Sequence, residues 1–155
     1  MGMRRIGVWG MIVVLGASGC AKLLPHSPET VDELPLFVGF EKAPVPEPDA
    51  RTVEQFDTTT KAERVAAAAS TTGGARLGTT LASLGDPTDP GFWLKTPLVS
   101  VEAQGHVETL SGKSVQLTLL PLAGEAGAGS QLSLPAMRVL ELSLTDLPEL
   151  IVYQD

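Results

Sequence analysis

The chain has 155 residues, 43% hydrophobic, 5% aromatic and 19% charged, a length that fits one ordinary domain. Eleven Lys+Arg against eighteen Asp+Glu give a net charge of -7 with no basic block, which argues against nucleic acid as a partner, because neutralising phosphates needs clustered cations. One Cys and two His exclude a disulfide framework and make a zinc site unexpected, and no cofactor is expected.

Residues 1–19 read as an export signal. Arg4 and Arg5 form a short positive segment, and Ile6 to Leu15 an apolar run broken only by Gly7 and Gly10. The run is too short to span a hydrocarbon core, which takes ~20 residues, and suits a signal-peptide core. Ala17, Ser18 and Gly19 then lead to Cys20. This end resembles a bacterial lipobox, in which cleavage between Gly19 and Cys20 frees a Cys whose thiol carries diacylglycerol. The usual Leu three residues before the Cys is Ala17 here. Acyl chains contribute about 0.8 kcal/mol per buried CH2, so two or three hold a protein on a membrane almost permanently. Ala21 follows the Cys, where an Asp would resemble an inner-membrane retention signal, so the expected address is the outer membrane facing the periplasm. Losing Arg4 and Arg5 leaves nine positive charges against eighteen negative, which disfavours adhesion to anionic headgroups.

Residues 20–56 read as a lipidated, Pro-rich tether. Pro25, Pro28, Pro35, Pro44, Pro46 and Pro48 fall within it, and Ala43 to Pro48 should be extended and polyproline-like. Leu34 to Phe40 is an apolar patch within the tether. Residues 57–72 read as a short helix, with Thr60 and Glu63 at capping-box spacing and Ala66 to Ala69 propagating it. Its one large apolar residue is Val65.

Residues 75–155 read as a small β-rich module. Strands are expected over 78–85, 92–101 with a break at Pro97, 105–109, 113–122 and 147–154. Asp86 to Gly91 is a turn by its Asp-Pro and Pro-Gly pairs, and 124–130 a flexible loop. Ser133 is placed to N-cap a helix ending near Leu140, with Pro135 in its first turn. The expected core is Leu81, Leu84, Trp93, Leu98, Val99, Val107, Val115, Leu117 and Leu119, continued by Leu132, Met137, Leu140, Leu150 and Val152.

Gly112-Lys113-Ser114-Val115, Gln131-Leu132-Ser133 before a helix, and the closing Glu149 to Gln154 strand together resemble the double-psi β-barrel of the rare lipoprotein A-like, septal-ring lytic transglycosylase family. Leu94 to Ser100 is a weaker echo of that family's His-Lys-Thr-Leu-Pro segment. The resemblance implies a mainly β, small double-psi-like barrel with one or two short helices, and a peptidoglycan-associated role. The family's catalytic Asp falls near Leu120-Pro121-Leu122 and its His on Leu94. Glycosidic cleavage needs a carboxylic acid placed to protonate the leaving oxygen, so no catalytic residue is assigned.

Other chemistries fare no better. Gly112-Lys113-Ser114 ends like a phosphate loop, but Val107 stands where its first Gly is required. Sugar-acid dehydratases such as D-galactarate dehydratase are far longer and metal-dependent, and nothing in this sequence supplies their ligands. His106 has no Ser, Cys or Asp arrangement beside it in sequence. Asp86 and Asp89 share one turn, and Trp93 is either a sugar platform or a core anchor; these three are the candidate binding residues. The expectation is a membrane-anchored lipoprotein with a non-catalytic module binding peptidoglycan or an envelope protein; the alternative is a peptidoglycan-cleaving enzyme.

Overall fold

The structure, a computed structural model, describes residues 43–69 and 73–155. The signal, Gly19, Cys20, most of the tether and the Leu34 to Phe40 patch lie outside the described residues. Among those described, no helix is long and apolar enough to cross a membrane.

The chain forms two short helices, α1 (Val53–Phe56) and α2 (Lys61–Ala67), then strands β1 (Ala75–Leu84), β2 (Trp93–Thr96), β3 (Ala103–Thr109) and β4 (Ser114–Pro121). A short strand β5 (Ser130–Leu132), helix α3 (Leu134–Val139) and strand β6 (Glu149–Gln154) complete it. The strands close into a barrel in the order β1-β5-β2-β4-β3-β6. This is the small, mainly β barrel with short helices expected from the sequence. Pairs β1/β5 and β2/β4 are parallel and the other four antiparallel. Exchanging β1, β2, β3 with β4, β5, β6 leaves both the order and the pairing senses unchanged, so the two halves are related by a pseudo-twofold connection.

Alternation decides what fills the barrel, because successive strand residues face opposite sides. On β4, Val115, Leu117 and Leu119 are fully buried while Gln116 and Thr118 are not. Val107, Leu132, Leu150, Val152 and Met137 close the same core. Each large apolar side chain so buried contributes about 1.5–3 kcal/mol. The core also holds Ala82, Phe92, Leu94, Leu134 and Ala136, which the sequence reading did not single out.

Leu81, expected inside, is 56% exposed. Its neighbours Thr80 and Ala82 face inward instead, and a strand cannot bury both parities on one side. Leu84, Leu98 and Val99 pack against the core but are only partly buried.

The tether and helix readings change at their ends. The last part of the expected tether lies on the barrel unit: Ala43 and Pro46 are buried, Thr58 Oγ1 donates to the Pro44 carbonyl at 2.6 Å, and α1 sits within the span. The 57–72 helix contracts to α2. Its capping box forms as expected, with Thr60 Oγ1 accepting from Glu63 N–H. Asp57, just ahead, is buried and receives Arg138 Nη1 from α3 at 2.7 Å. That pair fastens the arm to the barrel. Removing one partner of a buried pair leaves a stranded charge.

Helix α3 starts where expected, with Ser133 at the N-cap and Pro135 in the first turn. The Ser133 hydroxyl caps nothing in the helix. It accepts from Trp93 N–H at 3.1 Å, while Ser133 N–H donates to the Trp93 carbonyl at 3.0 Å. The residue therefore stitches β2 to the helix entry.

Candidate functional site

A groove of about 500 Å³ lies on the outside of the barrel beside β1. Its position follows from unequal strand lengths. β1 has ten residues, but β5 pairs only with Ala82 to Leu84. Ahead of Ser130 the chain peels away as a loop of small residues, Ala126-Gly127-Ala128-Gly129, and the groove is the gap it leaves. The outward residues of β1, Thr79, Leu81 and Ser83, form one wall, and Leu122, Leu147 and Glu149 contribute to the rim. Leu81 and Leu147 are 56% and 64% exposed, so the lip is apolar.

Behind the wall runs a chain of hydroxyls. Thr80 Oγ1 and Ser130 Oγ are 2.8 Å apart, and Ser130 Oγ donates to Thr96 Oγ1 at 2.9 Å. Thr96 Oγ1 also accepts from Leu98 N–H at 3.3 Å. All three side chains are buried, and buried hydroxyls persist only when paired. The chain ties β1, β5 and β2 together where the backbone ladder is thin. No acid or imidazole is bonded to it among the described residues, so none of these hydroxyls has a base to activate it.

The residues singled out from sequence lie elsewhere. Trp93 is 4% exposed. Its ring lies so close over Gly85 that a Cβ there would overlap it. Lys95 Nζ sits 4.3 Å from the ring centroid, and Nε1–H donates to the Asp89 carbonyl at 3.0 Å. A buried ring held this way, between Gly85 and Lys95, presents no open face to a sugar. Asp89 Oδ2 accepts from Lys95 Nζ at 2.9 Å. Asp86 accepts from Thr88 Oγ1 at 2.7 Å and Thr88 N–H at 2.8 Å. Those two bonds, side chain first, hold the Asp86 carboxyl below its ordinary pKa, with Lys95 adding a smaller push. The structure thus brings Asp86, Asp89 and Trp93 together as a self-bonded turn, outside the groove.

His106 is also packed. Its ring stacks on Tyr153 with centroids 4.6 Å apart, and Nδ1 lies 2.9 Å from Asp155 Oδ1. The acid absent beside it in sequence arrives from the far end of the chain. At the two positions where the resembled family carries its functional His and Asp, Leu94 is fully buried in the core and Leu120-Pro121-Leu122 ends β4 without an acid. Among the described residues, no group of three or more His, Cys, Asp or Glu is arranged to hold a metal.

The groove was missed because one wall is a loop of glycines and alanines and the other carries a leucine assigned to the core. The available signal was Leu81 and Leu84 lying three apart, on opposite faces of any strand. No family model, curated protein or solved structure matches this chain.

Proposed function

We propose that this chain is a lipid-anchored envelope protein, acylated on Cys20 and held at the outer membrane facing the periplasm, whose barrel is a non-catalytic binding module. The observation that carries the reading is the placement of the only Cys directly after a positive segment, a short apolar run and three small residues. The non-catalytic part is supported by the engagement of Asp86 with Thr88 and of Asp89 with Lys95 and by the apolar residues at the positions of the resembled family's acid and His. The groove beside β1, being open and mixed in polarity, is the binding surface.

Fractionation of cells expressing Cys20→Ser tests the anchor. The variant is expected to leave the detergent-soluble membrane fraction, and unchanged retention there refutes it. Incubation with purified sacculi tests the absence of catalysis. No muropeptides are expected, and their release, abolished by Asp86→Asn, Asp89→Asn or Glu125→Gln, establishes the peptidoglycan-cleaving alternative.

A further inference from the structure

We propose that the groove accepts an extended, basic segment of a partner protein, which adds to β1 as an extra strand. The proposal rests on the module being a binding unit and names what it binds.

The first argument is the unpaired flank of β1. Ala82 N–H donates to the Pro148 carbonyl, on the β6 side. In an antiparallel pair the main-chain groups of alternate residues point to opposite flanks, so Thr80 also faces β6, and Thr79 and Leu81 turn theirs toward the groove. On that flank β5 begins only opposite Ala82. Residues 75–80 therefore have no strand partner there, and Leu81 offers only its N–H, since its carbonyl meets the start of the β5 ladder and accepts from Thr80 Oγ1 at 3.4 Å; the barrel is otherwise closed. An unpaired strand flank is a template for another chain, and main-chain hydrogen bonds supply much of the affinity when one is added.

The second argument is the lining. The opposite wall, Ala126 to Gly129, carries no side chain larger than a methyl, so a backbone can approach it closely. Outward Leu81 and Leu147 offer apolar contact to alternate side chains of an added strand. No aromatic residue lines the groove, so it lacks the stacking platform that a sugar ring favours.

The third argument is charge. Glu149 is the one ionisable residue lining the groove, and Glu125 is exposed on the adjoining loop. No Lys or Arg lines it. A cationic segment is therefore complementary and an acidic one repelled. Regular strand pairing further requires an unbroken run of ordinary peptide bonds of one chirality, which a protein segment supplies and a cell-wall stem peptide does not.

The test uses the full lipidated chain in detergent micelles and four probes: a synthetic all-L peptide alternating Lys and Val, the same peptide N-methylated at alternate bonds, a Glu/Val counterpart, and isolated stem peptides. The Lys/Val peptide is expected to bind and to slow amide hydrogen exchange at Thr79 and Leu81. N-methylation preserves the charge and removes strand donors, and it should weaken binding about tenfold, as should the Glu/Val exchange. Gly127→Trp, at a position whose Cβ would meet nothing within 4 Å, should fill the groove and weaken binding about tenfold without altering the thermal transition. Undiminished binding of the N-methylated peptide, or unchanged exchange at Thr79 and Leu81, overturns the proposal. Preferential binding of stem peptides overturns the choice of partner. Binding of peptide-free glycan strands with no peptide binding overturns it too, while leaving the anchored binding module standing.

Discussion

The two flanks of the barrel are built to different densities. On one, β3 is in register with β4 over six residues and with β6 over five. On the other, β5 is held by three residues of β1 and two of β2. The dense flank carries Val107, Val115, Leu117, Leu150 and Val152, all fully buried, and the His106–Asp155 pair tucks its edge. The thin flank makes up its missing ladder with the Thr80–Ser130–Thr96 hydroxyls and leaves a groove where the ladder stops. The dense ladder and the open groove thus lie on opposite sides of one small barrel. A closed ladder has no free main-chain groups to offer, whereas an interrupted one does.

The sharpest way to break the comparison is to damage the dense flank. Gly105 on β3 lets the chain pass so close to β6 that a Cβ there would overlap the Tyr153 carbonyl oxygen and come within 2.8 Å of Leu119 Cδ1. Backbone cannot step aside as a flexible side chain does, so Gly105→Ala should cost about 3 kcal/mol or more, at the top of the range for overpacking. Urea unfolding measures it; a loss under 1 kcal/mol, on the order of an ordinary surface change, would mean the β3–β6 approach is not tight.

On the thin flank the corresponding change is smaller. Ser130→Ala removes the middle hydroxyl of the buried chain and leaves Thr80 and Thr96 short of a partner. The expected cost is about 1–2 kcal/mol, the range for stranding a buried polar group. Thermal unfolding of the variant beside Thr80→Val should expose coupling, with the double variant costing less than the two losses combined. Full additivity would mean that the hydroxyls act independently.

Hydrogen exchange sharpens the contrast without any substitution. Amides of β3 and β4 should open only with global unfolding, while those of Thr79 and Leu81 on β1 should exchange orders of magnitude faster. Equal protection of the two sets would contradict the unpaired flank.

The same division explains what the sequence made legible. β4 could be read because Val115, Leu117 and Leu119 alternate with polar residues in a long run, and the α2 start because Thr60 and Glu63 carry a local hydrogen-bond logic. Both signals are contained within a few residues. β5 could not be read, since Ser130–Leu132 is too short for a period and becomes a strand only through β1 and β2. The His106–Asp155 pairing spans 49 residues, and the Asp57–Arg138 pairing 81. No local pattern encodes either. The groove is still further from view, because it is made of a strand flank and a loop with little side chain. By contrast, Asp86, Asp89 and Trp93 drew notice for their chemistry, and that chemistry is used up in shaping the turn into β2.

That turn gives the smallest predicted effect. Thr88 Oγ1 and N–H both donate to Asp86 Oδ1, and their hydrogen bonds favour the charged carboxylate. The folded-state pKa of Asp86 is thereby depressed relative to the unfolded chain. A depressed carboxyl pKa contributes stability that is fully present above the unfolded value and is lost as pH falls through the folded one. Neutral pH therefore leaves the turn intact, and only strong acid loosens it. Thr88→Ala removes the first and largest of the two bonds but keeps the backbone donor, so the Asp86 carboxyl should titrate partway back toward its ordinary range. Carboxyl-detected NMR titration reads this directly. Because Asp86 is exposed, the stability difference between the two proteins should be small and confined to acid pH. An unmoved Asp86 titration in the variant would show that the backbone bond alone sets the turn. A loss of stability at neutral pH comparable to Ser130→Ala would show that the turn supports the thin flank as strongly as the buried hydroxyls do.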